Sequence, residues 1–171
     1  TPKFEKKLIF SGDPSRFPHI VDWKHSTPLH VYATRAEGVD YSKVHLEGWR
    51  TQQELLLELS KGGGFGLVWG NSENPAEERD YYKENVSYKL TTYLAAGIPV
   101  VVPDYLSNAD YIREKGLGFV VSSLEEASRV VQECTAEEYD QMVTRAKYTA
   151  YLIKNGYFTK KLFIDSMMLL D

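Results

Sequence analysis

At 171 residues the chain amounts to one ordinary domain of roughly 150 residues, which leaves no room for a second full core. Hydrophobic residues at 43% and charged residues at 26% are near globular averages and exclude a disordered, collagen-like or coiled-coil chain. Lys plus Arg is 20 against Asp plus Glu 24, a net of -4, so the field that non-specific nucleic-acid or anionic-membrane binding needs is missing and any anion site must be local.

The chain opens on Thr1-Pro2-Lys3-Phe4-Glu5, without an initiator Met or the apolar stretch of a signal peptide, which reads as a processed start or a piece of a longer chain, the charged opening before a strand favouring the second. Leu8-Ile9-Phe10 reads as a first strand, Leu29-His30-Val31-Tyr32-Ala33 as a second and the short Val44-His45-Leu46 as a third. Thr51 and Glu54 have capping-box spacing and open a helix. Lys61-Gly62-Gly63-Gly64 then reads as a helix stop and a turn before the strand Phe65-Gly66-Leu67-Val68-Trp69. From Asn71 to Asp80 runs an acidic stretch longer than the usual 2–6 or so residues between strand and helix. It reads equally as a mobile binding loop or a solvated insertion, and its carboxylates lack metal-ligand spacing.

A helix from Ser87 carries Leu90, Tyr93 and Leu94 and stops at Gly97, with Pro99 two residues on. Pro99-Val100-Val101-Val102 is a continuous apolar run of the kind buried on both faces, and Gly118-Phe119-Val120-Val121 is a shorter edge version. Ser123 precedes one more helix and the Thr135–Glu138 capping box another, after which the pattern is helical to the end. Alternating strands and helices imply a parallel sheet. Phe158, Leu162, Phe163, Met167 and Leu170 fall near one face of the last helix, which is expected to pack on this chain's own core, with docking on a further domain as the alternative. Cys134 is the only cysteine, which excludes an intrachain disulfide and a cysteine zinc cage and favours the cytoplasm; no apolar run approaches the ~20 residues of a membrane span.

In an open parallel sheet ligands bind beyond the carboxyl ends of the strands, which directs attention to the loops after Phe10, Trp69 and Val102. Gly12, in Ser11-Gly12-Asp13-Pro14, permits close backbone approach to a bound group, with Arg16 near enough to supply charge. An ordinary turn with a solvated arginine explains the same residues. Lys89 is the sharper signal. If Ser87 caps the helix, Lys89 stands in its first turn, where free N–H groups disfavour a cation by about 0.3–1 kcal/mol unless an anion is present. N–H groups plus an ammonium suit a diphosphate, whereas surface pairing of Lys89 with Glu84 or Asp80 is the plainer account. The glycines at 62–64 lack a triphosphate loop's Gly-Lys-Ser/Thr ending, and Gly64, Gly66 and Gly70 do not form a dinucleotide fingerprint. The four histidines show no zinc pattern, and Asn85-Val86-Ser87 is a chance glycosylation match, so no metal or cofactor is expected.

The segment Ser87-Tyr88-Lys89-Leu90-Thr91-Thr92-Tyr93-Leu94-Ala95-Ala96-Gly97-Ile98-Pro99-Val100-Val101 resembles the donor-binding half of GT-B glycosyltransferases. It is most similar to bacterial enzymes that extend O-linked sugars on serine-rich adhesins and to related galactofuranosyltransferase-like proteins. Gly64-Phe65-Gly66-Leu67-Val68-Trp69 and Lys154-Asn155-Gly156-Tyr157-Phe158-Thr159-Lys160-Lys161-Leu162 carry the likeness over most of the chain. The resemblance implies an α/β, Rossmann-like, doubly wound parallel sheet of about six strands with extra C-terminal helices, residues 1–171 forming one nucleotide-sugar domain. It implies a UDP-sugar donor, a hexose passed to a glycan or glycoprotein acceptor, and an acceptor-binding amino-terminal half outside this chain. By position Lys89 and Arg16 would meet the diphosphate, Ser11 and Gly12 line its loop, Ser87 and Tyr88 shape the pocket, and Trp69 and Gly70 face the nucleoside. Of the broader family's Glu-x7-Glu, Glu84 fits the first place and Thr92 occupies the second. The catalytic base stays unassigned.

Lys89, Arg16 and fixed N–H groups can take up the charge of a leaving diphosphate without a metal. Two other readings remain open, a UDP-sugar epimerase on the same architecture and a non-catalytic glycosyltransferase-like partner acting through its last helix; a homo-oligomer fits any of them.

Overall fold

The computed structural model describes residues 2–71, 80, 82, 85 and 87–169. Its centre is a six-stranded sheet in the order β3-β2-β1-β4-β5-β6. The strands are β1 (Lys3–Ser11), β2 (Leu29–Tyr32), β3 (His45–Leu46), β4 (Gly63–Leu67), β5 (Val100–Pro103) and β6 (Gly118–Val121). Every neighbouring pair is parallel, with Leu8 opposite Leu29 on one side and Phe65 on the other. The chain builds outward from β1 to β3, then returns to lay β4 on the other side of β1. The direction reverses between β1 and β4, and such a reversal opens a crevice beyond the carboxyl ends of the two strands.

The strand alternation sorts the core onto two faces. Leu8, Phe10, Phe65, Leu67, Val101 and Val121 meet α1 (Pro18–Val21), α5 (Leu124–Glu133) and the first half of α6 (Ala136–Lys154). Ile9, Val68, Val100 and Val102 meet α2 (Gln52–Lys61), α3 (Tyr88–Ala96) and α4 (Ala109–Lys115). Val100, Val101 and Val102 are all fully buried, as a continuous apolar strand covered on both faces requires. At 19 residues, about 28 Å, α6 is long enough to serve both faces. Its Tyr139 hydroxyl donates to the carbonyl of Gly64 at 3.1 Å on one face, while Ile153 packs against the other.

Both expected capping boxes form, Thr51 with Glu54 and Thr135 with Glu138. The Ser123 hydroxyl accepts from the Glu126 N–H at 3.1 Å. Gly97 ends α3 in the left-handed conformation at φ 76°, the geometry its place after the last apolar turn calls for.

Two expectations need correction. The glycine run after Lys61 does stop α2, with Gly62 as its C-cap, but no turn follows: Gly63 and Gly64 enter β4 directly. A Cβ on Gly63 would lie 2.0 Å from the carbonyl oxygen of Lys3, so these glycines let β4 press against β1. The last helix, α7 (Tyr157–Met168), does not pack into the core. All its residues are exposed; among them Leu162, Phe163, Met167 and Met168 form an apolar run, while Phe158 reaches Tyr111 of α4 at a ring distance of 6.4 Å. Among the described residues no helix is long and apolar enough to cross a membrane. Of the acidic stretch, residues 72–79 lie outside the described residues, as do Glu84, the expected partner of Lys89 and first place of Glu-x7-Glu, and Val86 of the glycosylation match.

Candidate functional site

The reversal point places the loop after β1 against the first turn of α3. Ser11 closes β1, and its N–H donates to the Tyr93 hydroxyl at 2.9 Å. Tyr93 reaches this point because Gly66 lies beneath its ring; a Cβ on Gly66 would stand 2.3 Å from Tyr93 Cγ. Burial pushes the Tyr93 phenol well above its ordinary pKa, so it stays a neutral post under the loop.

Lys89 extends from the first turn of α3 over the same loop. Its Cε is 3.2 Å from where a Cβ of Gly12 would be, and its ammonium stands 5.1 Å from the Phe10 ring centroid and 4.4 Å from that of Phe17. Aromatic faces hold an ammonium without cancelling its charge. Ser87 occupies the N-cap position with extended backbone angles, yet its side chain makes no capping hydrogen bond, contrary to its expected role. Ser11, Gly12 and Lys89 are therefore brought together.

The other expected site residues are distributed differently. Asp13 caps the short 3-10 turn Pro14–Arg16, and its carboxylate accepts from Ser15 Oγ at 2.8 Å and Ser15 N at 3.0 Å. Those two bonds, with a further contribution from Arg16, hold the Asp13 carboxyl below its ordinary pKa. Arg16 is exposed at the end of that turn and Tyr88 is 66% exposed; neither they nor Ser87 line the cleft at Gly12. Trp69 is 1% exposed, its indole N–H has no hydrogen-bond partner among the described residues, and it borders a separate cavity of about 300 Å³ with His19, His25, Ser122 and Ser123. Gly70 beside it is buried. The Thr92 hydroxyl turns back into its own helix and donates to the carbonyl of Tyr88 at 3.1 Å, so it does not take the role of a second crevice carboxylate.

The cleft that contains Ser11 and Gly12 has a volume of about 610 Å³ and extends along the ends of β1 and β2 to Tyr32, Arg35, Trp49, Arg50 and Leu55. That is the size of a small-ligand site. These wall residues escaped the sequence reading, although Trp49-Arg50 directly before the Thr51 cap was a usable signal, since a strand-to-helix loop of a parallel sheet lies at its carboxyl edge.

The family profile described as the C-terminal domain of glucosyltransferase 3-like proteins matches residues 8–166. The chain belongs to that family. Glucosyltransferase 3 of Streptococcus gordonii is 55% identical over 167 residues, covering 98% of this chain and 50% of that protein. The β-1,6-galactofuranosyltransferase WbbI of Escherichia coli K12 is 27% identical over 157 residues, covering 90% of this chain and 47% of its own length. The chain thus spans about half the length of the curated relatives it matches. Among solved structures, Anabaena HepE in complex with UDP-glucose superposes at TM-score 0.56 and 12% identity over 86% of this chain and 44% of that one, which shows the shared fold. This family member shares its parallel, helix-covered sheet with that neighbour, the α/β fold that the alternating strands and helices implied.

Proposed function

We propose that this chain is the donor domain of a hexosyltransferase, holding a nucleoside diphosphate sugar, a UDP-sugar, for transfer to a glycan or glycoprotein acceptor. The observation that carries the reading is the placement of Lys89 across Gly12 at the reversal point of the sheet, where an ammonium, a side-chain-free backbone and the start of α3 converge. Such a set suits two adjacent phosphoryl groups. In the transfer, the bond from the anomeric carbon to the diphosphate oxygen breaks and its electron pair leaves with the nucleoside diphosphate. The acceptor hydroxyl oxygen bonds to that carbon and gives up its proton to the surrounding water. Lys89 would stabilise the charge growing on the diphosphate, with Arg16 reaching in from its exposed turn once a phosphate is present. This role for the cations needs no metal, and a chelator is expected to leave donor affinity unchanged.

A thermal-shift comparison of UDP, GDP and ADP tests the reading. UDP at about 100 times its dissociation constant should add about 2.7 kcal/mol of stability, and no response to any nucleotide would overturn the proposal.

The acceptor side belongs to the amino-terminal half that the family description implies, so this chain alone should bind donor and transfer little sugar. The apolar face of α7, with Leu162 at 66%, Phe163 at 67% and Met168 at 72% exposure, is the surface suited to that half. Replacing Leu162 and Phe163 together with aspartate should leave the chain's stability within about 0.5 kcal/mol, since neither is buried, and should reduce self-association in size-exclusion chromatography. A collapse of stability would show instead that the helix folds onto this chain's own core.

A further inference from the structure

In the wall of the 610 Å³ cleft away from Gly12, Tyr32 and Arg50 share one carboxylate. Glu58, in α2, accepts from Arg50 Nε at 2.8 Å on one oxygen and from the Tyr32 hydroxyl at 3.0 Å on the other. One side chain thereby ties together α2, the end of β2 and the loop between β3 and α2. The Arg50 guanidinium also lies 5.9 Å from the Tyr32 ring centroid, and its Nη1 donates to the carbonyl of Trp49 at 3.1 Å. On the other side of Gly48, which turns the loop at φ 82°, Glu47 pairs with His30 Nδ1 at 2.6 Å. The loop is therefore anchored at both ends, and Arg50 sits in a fixed orientation with Nη2 bonded to no described protein group. Consistent with this, the Glu58 contact raises the Arg50 pKa, and burial followed by the Glu58 hydrogen bond raises that of Tyr32.

What such an arginine recognises follows from its charge balance. Glu58 neutralises it, so the pair is a poor second phosphate clamp; what remains is a set of directed N–H donors with no acceptor. Beside it, Trp49 is 63% exposed and offers a planar apolar face, whereas Trp69 is buried at another cavity. β3 lies two strands from β1, about 10 Å at the usual spacing, which leaves room for a ribose between a diphosphate at Gly12 and a base at Trp49. Donors alone match the carbonyl edge of uracil and meet the amino group of adenine donor to donor.

We infer that Glu58 is a positioning residue that fixes Arg50 to read a base carbonyl of the donor nucleotide stacked on Trp49, and so sets the preference for a uracil-type base. The inference rests on the nucleotide-sugar reading above. The test is calorimetric binding of UDP, ADP and inorganic pyrophosphate to the whole chain as wild type, Glu58→Gln and Arg50→Lys. The wild type should favour UDP over ADP; each variant should lose about tenfold in UDP affinity, the scale of one charge-assisted hydrogen bond, and most of that preference, with pyrophosphate affinity unchanged. Arg50→Lys keeps the charge and removes the fork, so it carries the test if Glu58→Gln folds poorly. Retention of the UDP preference in a folded variant overturns the inference, as does an equal loss of pyrophosphate affinity, which would mark a merely structural role. Failure of the wild type to bind either UDP or pyrophosphate would instead bring down the nucleotide-sugar reading itself.

Discussion

Replacing Lys89 with alanine is expected to weaken UDP binding about 10- to 100-fold, the loss of one charge-assisted hydrogen bond of about 1.5–3 kcal/mol to a diphosphate. The geometry makes the magnitude specific to the ligand. The ammonium rests on the rings of Phe10 and Phe17, so the substitution also removes a cation–π contact, one worth about 0.5–2 kcal/mol of fold stability at this half-buried site. Lys89→Met removes the cation, and the cation–π contact with it, but keeps an apolar stem packed on the rings, so it separates loss of charge from loss of packing. Both variants should lose affinity alike in calorimetry while melting close to the wild type, and the wild-type affinity should fall with added salt. Unchanged UDP affinity in Lys89→Met would remove the electrostatic basis of the donor site.

Gly66→Ala is expected to cost about 3 kcal/mol of stability, at the upper end of the usual cost of overpacking. The added methyl would lie 2.3 Å from Cγ and 2.4 Å from Cδ2 of Tyr93, a ring that is fully buried and has no direction in which to yield. For a chain of this length the melting temperature should drop by about 6–12 °C. Because the displaced ring carries the hydroxyl that accepts from Ser11, UDP affinity should fall as well, although Gly66 touches no ligand. A variant with the wild-type melting temperature would show that Tyr93 can shift freely and is not the post that fixes the loop.

The parts of this molecule that could be read directly are those whose physics is local. The continuous apolar run of β5, the two Thr–Glu capping boxes and the Gly97 stop follow from spacing alone, because buried strands, free N–H groups and a left-handed terminus each make their demand within a few residues. Lys89 was legible for the same reason, as a cation in a helix's first turn. At 62–64 the helix stop was legible, but the expected turn was a strand, because its cause lies elsewhere in the chain: Gly63 is small to admit the carbonyl of Lys3, a neighbour only in the sheet. The contact of α7 with the core was expected because an apolar stripe states that a partner is needed without stating which one.

The candidate site divides along the same line. Ser11, Gly12 and Lys89 could be placed together from the strand-end rule, but Arg16 and Trp69, expected at the diphosphate and the nucleoside, do not line the cleft at Gly12, since the course of the 3-10 turn and of the chain after β4 decides where those side chains go. The set of Tyr32, Arg50 and Glu58 left no trace in the spacing, because β2, the loop before α2 and α2 itself meet only when the sheet closes in its observed order. The sequence by itself therefore determined the alternating architecture, the family and the cationic start of α3, all products of short-range patterns. Only the tertiary structure decided which walls face each other across the cleft, because contacts between distant segments depend on strand order, and no local pattern encodes that.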